Sequence, residues 1–404
     1  MVHLGRLPIE ETLRQRQFRL LVVSDTPHRP TDAGNRARIA SMLTHLRTRG
    51  WAIAVVLRAD GDLADADIAA MRDSTDRLRL ARPRPGIWPF RKGAAREEAA
   101  DPWSPAWLRR TVADEVARWD PDVVLVEYVF LSPVLCGLPA RQSGLRLTMI
   151  DTHDIMSLRR TAYEHAGVPL QWYHATETEE ARGLARADYV LAINAADAHA
   201  LGRMVSPDRV IVVTHGRAPE PLPLDRAERS RLVVVASRND LNVASLRWFF
   251  EHVWPAVRAH TPEATLVVCG TVGEKLAVVP PGVVLRGFVE DLADEISRAR
   301  IVVCPVLGGT GLKIKIVDAL AYGRPVVTTT LGTAGFAVGL EGGVISADAP
   351  STFSGAITRL VHDDGYWDRA SAGARAQALQ FTPTRAFHAL EQVLAVRLGS
   401  RVPR

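Results

Sequence analysis

Cysteine is scarce in this chain of 404 residues: only Cys136, Cys269 and Cys304 occur, far apart and each in or near an apolar segment. An odd, scattered set argues against a disulfide framework and fits buried thiols in a reducing compartment. Long hydrophobic runs are missing too, since nothing approaches the roughly 20 apolar residues of a membrane span. The first stretch, MVHLGRLPIEETLRQRQFRLLVV, has acidic residues and no apolar core ahead of a cleavage site, so no secretory signal is expected. No HExxH, GxSxG, GxxxxGKS/T or CxxC motif is present, and the 12 histidines are scattered rather than set at metal-ligand spacing. A net charge of +5 and a pI near 9.4 favour anionic ligands without arguing for nucleic acid.

What the chain does have is size, ordinary globular composition and a regular alternation of elements. At 404 residues it exceeds a single hydrophobic core, so two domains are the default. Short apolar runs alternate with helical periodicity, the signature of parallel α/β structure. Strands are expected at 19–25, 52–57, 122–127, 145–151, 188–193 and 209–213, with a helix from about Asn35 that stops at Gly50. A proline- and charge-rich linker follows at 216–230, and the alternation then restarts with strands near 231–237, 264–270, 283–288 and 300–306. Two helices over roughly 351–376 and a final helix from about Pro383 complete the pattern. The expected organisation is α/β, two tandem Rossmann-like domains facing each other across a cleft. Residues 1–222 form the N-terminal domain, 223–382 the C-terminal domain, and 383–404 a helix packing back on the first. Ligands in such folds sit beyond the C-terminal ends of the strands.

The stretch CPVLGGTGLKIKIVDALAYGRPVV, Cys304 to Val327, leaves one strand and enters a helix through a glycine-rich turn. Backbone N–H groups at such a turn, with the helix dipole behind them, favour an anion. A helix over 312–322 would turn Leu312, Ile316 and Leu320 toward the sheet. Lys315 and Asp318, three apart, would lie on another face, with Lys313 about 160° from Lys315 around the axis. A glycine-rich turn with a Lys–Asp pair on a solvated face reads equally well from composition. His153, in DTHDIMSLRR, follows a strand and would project into the cleft, where a histidine can donate or carry a proton near neutral pH. Asp151 and Asp154 read as local turn and cap residues, and Asn242 as a helix N-cap.

GGTGLKIKIVDALAYGRPVVTT is similar to the donor-binding segment of the group 1 glycosyl transferases, family 4 of the nucleotide-sugar glycosyltransferases. The resemblance extends to PTDAGNRARIASMLTHLRTRGWAIAVV, DTHDIMSLR and SRNDLNVASLRWFFEHVWP. It implies the two-Rossmann GT-B fold and a retaining enzyme. In the family two glutamates are separated by seven residues; here Thr310 takes the place of the first and Asp318 that of the second. Lys315 falls where the family has its phosphate-binding lysine. Replacing the first carboxylate by Thr310 leaves the identity of the donor sugar open. The sequence DAD at 65–67 has the letters of a metal motif of the other glycosyltransferase fold, but in an acidic, alanine-rich context.

The resemblance therefore implies a cytoplasmic, metal-independent glycosyltransferase with no cofactor, using a nucleotide-diphosphate sugar as donor. Gly308, Gly309, Thr310, Gly311, Leu312 and Asp318 would hold the donor, Lys315 and Arg238 its diphosphate, and His153 the transferred sugar. Gly34 and Asn35 would belong to an acceptor-side loop. Partners would be the nucleotide sugar and a carbohydrate, lipid-linked or small-molecule acceptor, with no nucleic acid. The stretch 77–96 carries seven basic residues and no acidic one around Trp88 and Phe90. It reads as a basic loop, or as a contact with the anionic inner face of the plasma membrane. A nucleotide-sugar epimerase of the same fold, or an inactive sugar-nucleotide-binding partner, are the alternative readings.

Overall fold

The computed structural model describes residues 17–83, 103–139, 146–171, 173–289 and 291–399. The first sheet comprises β1 (Arg19–Ser24), β2 (Ala52–Arg58), β3 (Arg77–Ala81), β4 (Val123–Glu127), β5 (Leu147–Asp151), β6 (Tyr189–Ala192) and β7 (Val210–Val212). The second comprises β8 (Glu228–Val235), β9 (Thr265–Cys269), β10 (Val283–Gly287), β11 (Ala299–Cys304), β12 (Val326–Thr328) and β13 (Val344–Ser346). Their orders are β3-β2-β1-β4-β5-β6-β7 and β10-β9-β8-β11-β12-β13, and every pairing between these strands is parallel.

The runs are apolar without alternation because both faces of each sheet are covered by helices. In β1, Leu21 and Val23 join one core cluster while Leu20 and Val22 join the cluster on the opposite face. In β8, Leu232 and Val234 face one cluster and Val233 the other. The chain end returns as expected. Helix His388–Leu398 places Leu390 and Leu394, with Phe387 just ahead of it, in the cluster built on Leu20 and Val22. Residue 216 must be glycine at that crossing, because a Cβ there would lie 2.5 Å from the Phe387 ring.

Strand β3 was not expected. Arg77, Leu78, Arg79 and Leu80 alternate in polarity, and they add an edge strand paired with Ala54–Arg58 rather than opening a basic loop. The remainder of 77–96, from residue 84 on, lies outside the described residues. The three-residue strands β12 and β13 were also too short to stand out. No described helix is long and apolar enough to cross a membrane.

Strand order reverses direction between β1 and β4 and between β8 and β11. Crevices therefore open at the C-terminal ends of these strands, and they face each other.

Candidate active site

The second-domain rim of the cleft is the turn after β11. Gly309 and Gly311 have φ of +102° and +74°, a region that favours glycine. Close approach adds a second reason for glycine here. A Cβ on Gly308 would stand 2.5 Å from the Ala162 carbonyl oxygen, and one on Gly311 would stand 2.6 Å from that of His153. The turn thus closes directly onto the first domain, backbone against backbone.

The helix that follows begins at Ile314, two residues later than the sequence suggests, and this reorients the lysines. Lys313 sits at the N-cap and folds back, its Nζ donating to the carbonyls of Thr310 at 2.9 Å and Gly311 at 3.1 Å. Lys315 Nζ donates to Asn242 Oδ1 at 3.1 Å, while Asn242 Nδ2 donates to the Ser237 carbonyl at 3.0 Å beyond β8. Both lysines line one cavity of about 210 Å³, so the expected opposition between them is wrong. Asn242 is likewise not the N-cap of its helix; Asn239 is, and Asn242 steadies Lys315. Burial pushes the Lys313 pKa down to about 8.

The opposite wall of the cavity comes from the first domain through Asp154, Arg159, Ala162 and Tyr163. Asp154 Oδ2 lies 3.9 Å from Arg159 Nε. Its other oxygen, Oδ1, is buried without a hydrogen-bond partner among the described residues, as is Thr310 Oγ1. Unpaired buried polar atoms are costly unless a ligand or water satisfies them. They belong to two residues of the cavity wall, one from each domain.

Beside this cavity lies a buried charge cluster that the sequence did not reveal. Glu127 and Asp151 are register partners at the ends of β4 and β5. His153 Nε2 meets Glu127 Oε2 at 2.6 Å and lies 3.6 Å from Asp151 Oδ2. Arg38 holds Asp151 with two bonds, Nε to Oδ2 at 2.8 Å and Nη2 to Oδ1 at 2.7 Å, and also donates to the Val213 carbonyl. Asp151 is therefore half of a buried ion pair, not a turn residue. The His153 ring stacks on Tyr128 with centroids 4.2 Å apart, and Asn35 Nδ2 donates to the Tyr128 hydroxyl at 3.1 Å. Tyr128 and His153 adopt φ of +69° and +58°, strain of the kind stored at functional sites.

Burial opposes charge on His153, but the Asp151 and Glu127 carboxylates outweigh it and raise its pKa, with Arg38 pulling the other way. Burial likewise raises the Glu127 carboxyl above the usual range. Glu127, Asp151 and His153 bring three potential metal-ligand atoms within 4.8 Å of one another. Both Asp151 oxygens are already used by Arg38, however, and the guanidinium would repel a cation.

Of the residues singled out from sequence, Gly308, Gly309, Thr310 and Lys315 line the cavity. Leu312 instead packs its side chain into the second domain's core. Arg238 points to solvent, with 68% of its side chain exposed, and pairs with Glu274. Asp318 lies a turn beyond Lys315, its carboxylate 3.6 Å from Arg217 Nε, and burial pushes its pKa up to about 6. Gly34 abuts Ile314 across the domain boundary at ordinary contact distance.

Residues 229–363 match the family described as Glycosyl transferases group 1. No curated protein matches the sequence closely enough to report. Among solved structures, Anabaena Alr3699/HepE in complex with UDP and glucose is similar with a TM-score of 0.70 at 15% identity, covering 94% of this chain and 100% of that one. Sucrose-phosphate synthase from Thermosynechococcus elongatus gives 0.69 at 18% identity, covering 95% and 99%. TarM of S. aureus, solved with Fondaparinux, alpha-GlcNAc-glycerol and UDP, gives 0.70 at 8% identity, covering 93% and 99%. At these identities the likeness establishes the fold, and the family match falls within the second half of the chain.

Proposed function

We propose that the protein transfers a sugar from a nucleoside-diphosphate sugar to a hydroxyl acceptor with retention of anomeric configuration. The observation that carries this reading is the cavity between the domains. One wall offers Lys313, Lys315 and a glycine turn, and the other offers Arg159 with the unpaired oxygen of Asp154. Cations and turn suit a diphosphate, while unpaired oxygens suit sugar hydroxyls. The family match and the UDP complexes among the structural relatives support it.

In the reaction the acceptor oxygen bonds to the anomeric carbon as the carbon–phosphate-oxygen bond breaks. The nucleoside diphosphate leaves with the electron pair, and the acceptor's proton passes to the departing phosphate. Lys315 meets the charge that grows on that phosphate, the kind of interaction that lowers a barrier. His153, 7% exposed beside Gly311, is placed to contact the sugar. Asp318, paired with Arg217, would hold the ribose. Metal-independent action is part of the proposal, because cations already line the cavity. So is contact of the basic stretch 77–96 with an anionic lipid surface, supported by the five cations beyond β3, since Arg77 and Arg79 pair with Glu115.

A thermal-shift panel of nucleoside diphosphates and nucleotide sugars tests the donor, since a ligand at ~100-fold its Kd adds roughly 2.7 kcal/mol of stability. NMR of the product's anomeric proton then reads the stereochemistry. No stabilisation by any nucleotide, or an inverted product, would overturn the reading. Donor conversion without acceptor would point to an epimerase, and binding without turnover to an inactive partner.

A further inference from the structure

The Glu127 carboxylate is used by nothing in the reaction above, yet it is fully buried at the cleft and makes the shortest bond to His153. Only one of its oxygens is engaged; Oε1 has no partner among the described residues. Burying a carboxylate beside a second carboxylate is expensive unless positive charge compensates it. Counting the groups that face His153 shows what compensates. From the end of β4 come Glu127 and, just beyond it, the uncharged Tyr128, from β5 Asp151, and from helix Gly34–Thr48 comes Arg38. Beyond Arg38 lies His215, whose pKa burial and the guanidinium drive down to about 3, so it stays uncharged. Arg38 balances Asp151. An ionised Glu127 is then balanced by a cationic His153; the same carboxylate beside a neutral ring would leave a net negative charge among side chains nearly sealed from water.

We propose that Glu127 is a positioning residue that holds His153 as a doubly protonated imidazolium, with Nε2–H bonded to Glu127 and Nδ1–H left to donate at the cleft. The 2.6 Å contact fixes which nitrogen faces the carboxylate, and the Tyr128 stack fixes the ring plane. Among the described residues Nδ1 makes no hydrogen bond, so it is the nitrogen available to a ligand. A donor that is charged at working pH suits a site where negative charge develops on an oxygen. Burial lowers the His153 pKa, but the neighbouring carboxylates raise it further, in keeping with a ring that keeps its second proton.

The test is 15N–1H correlation NMR of the imidazoles in the full chain, with the His153 signals assigned by their loss in His153→Gln. His153 should remain doubly protonated at pH 7.5 in the wild type. Glu127→Gln keeps the shape but removes the charge, and the titration midpoint should fall by at least one pH unit. In that variant the alkaline limb of kcat should move to lower pH by the same amount, about a tenfold loss at pH 8, with a smaller change in donor KM. A purely structural role would instead scale the rate equally at every pH. A His153 ring that is neutral at pH 7 in the wild type overturns the proposal, and this arm stands even if the variant fails to fold. So does a variant that titrates like the wild type. The kinetic arm rests on the glycosyltransferase reading and the NMR arm does not. If no sugar is transferred but the titration behaves as stated, only the former has failed.

Discussion

The two rims of the cleft are built on opposite principles. The second-domain rim, 308–315, is one continuous piece of chain, made of glycine backbone and two lysines, and its charge is open to the cavity. The first-domain rim draws Arg38, Glu127, Asp151 and His153 from one helix and two strand ends, and its charges are internally compensated and sealed. A continuous loop with uncompensated cations is suited to receiving an anion from outside. A closed network is suited to holding one group in a fixed state. The difference predicts that mutations on the first rim register in stability, and mutations on the second register in ligand binding.

Asp151→Asn should show the larger stability effect. Removing the charge leaves Arg38, 0% exposed, without its counter-ion. Breaking a buried pair from one side costs about 3–5 kcal/mol. Denaturant unfolding of the unliganded protein measures it. A loss under about 1 kcal/mol would mean that the network is not sealed, and the contrast between the rims would collapse.

Lys315→Ala should register on the other side of the comparison. Charge-assisted contacts contribute about 1.5–3 kcal/mol, so turnover should fall by roughly one to two orders of magnitude. The melting temperature of the unliganded protein should hardly move, because among the described residues the lysine's one hydrogen-bond partner is Asn242. Lys313→Ala should lower turnover as well, but it should also lower the melting temperature, since Lys313 ties the turn's own carbonyls. Equal melting temperatures for the two variants would remove the distinction drawn here between a lysine that binds and a lysine that builds.

How much of this was legible follows the same division. The second rim could be read because its chemistry is local: strand, glycines and lysines succeed each other within about a dozen residues. Even there the reading erred by the two residues at which the helix starts. Lys313 caps the helix instead of riding on it, and nothing in composition distinguishes those cases. On the first rim, His153 was visible from its place after a strand. Glu127 closes an apolar strand, and Arg38 sits within an unremarkable helix. Their meeting depends on β4 pairing with β5 and on which face of helix Gly34–Thr48 is buried. Pairing of that kind is a long-range property. One signal was available: a carboxylate ending a strand that is otherwise buried on both faces, which needs a partner wherever the fold places it. The edge strand β3 was lost for another reason. Its alternation of arginine and leucine was read as charge, when period two is also the mark of a strand half open to solvent.

The smallest expected effect sharpens the comparison most, because it asks whether the second rim is truly uncompensated. Burial lowers the Lys313 pKa to about 8, with Lys315 adding to the depression, so near pH 8.5 a large fraction of the side chain is neutral in the free protein. A diphosphate in the cavity favours the charged amine and returns its pKa toward the ordinary lysine range. Binding at pH 8.5 should therefore take up a fraction of a proton, while binding at pH 6.5 should take up almost none from this group. By linkage, nucleoside-diphosphate affinity should fall as pH rises through the free-protein value. Calorimetric titration in buffers of different ionisation enthalpy reads the proton directly, and Lys313→Ala should abolish the difference between the two pH values. Uptake that persists in that variant would assign the proton elsewhere. Uptake absent from the wild type would show that the lysine's charge is already compensated by the turn carbonyls it binds, making the second rim a closed network like the first.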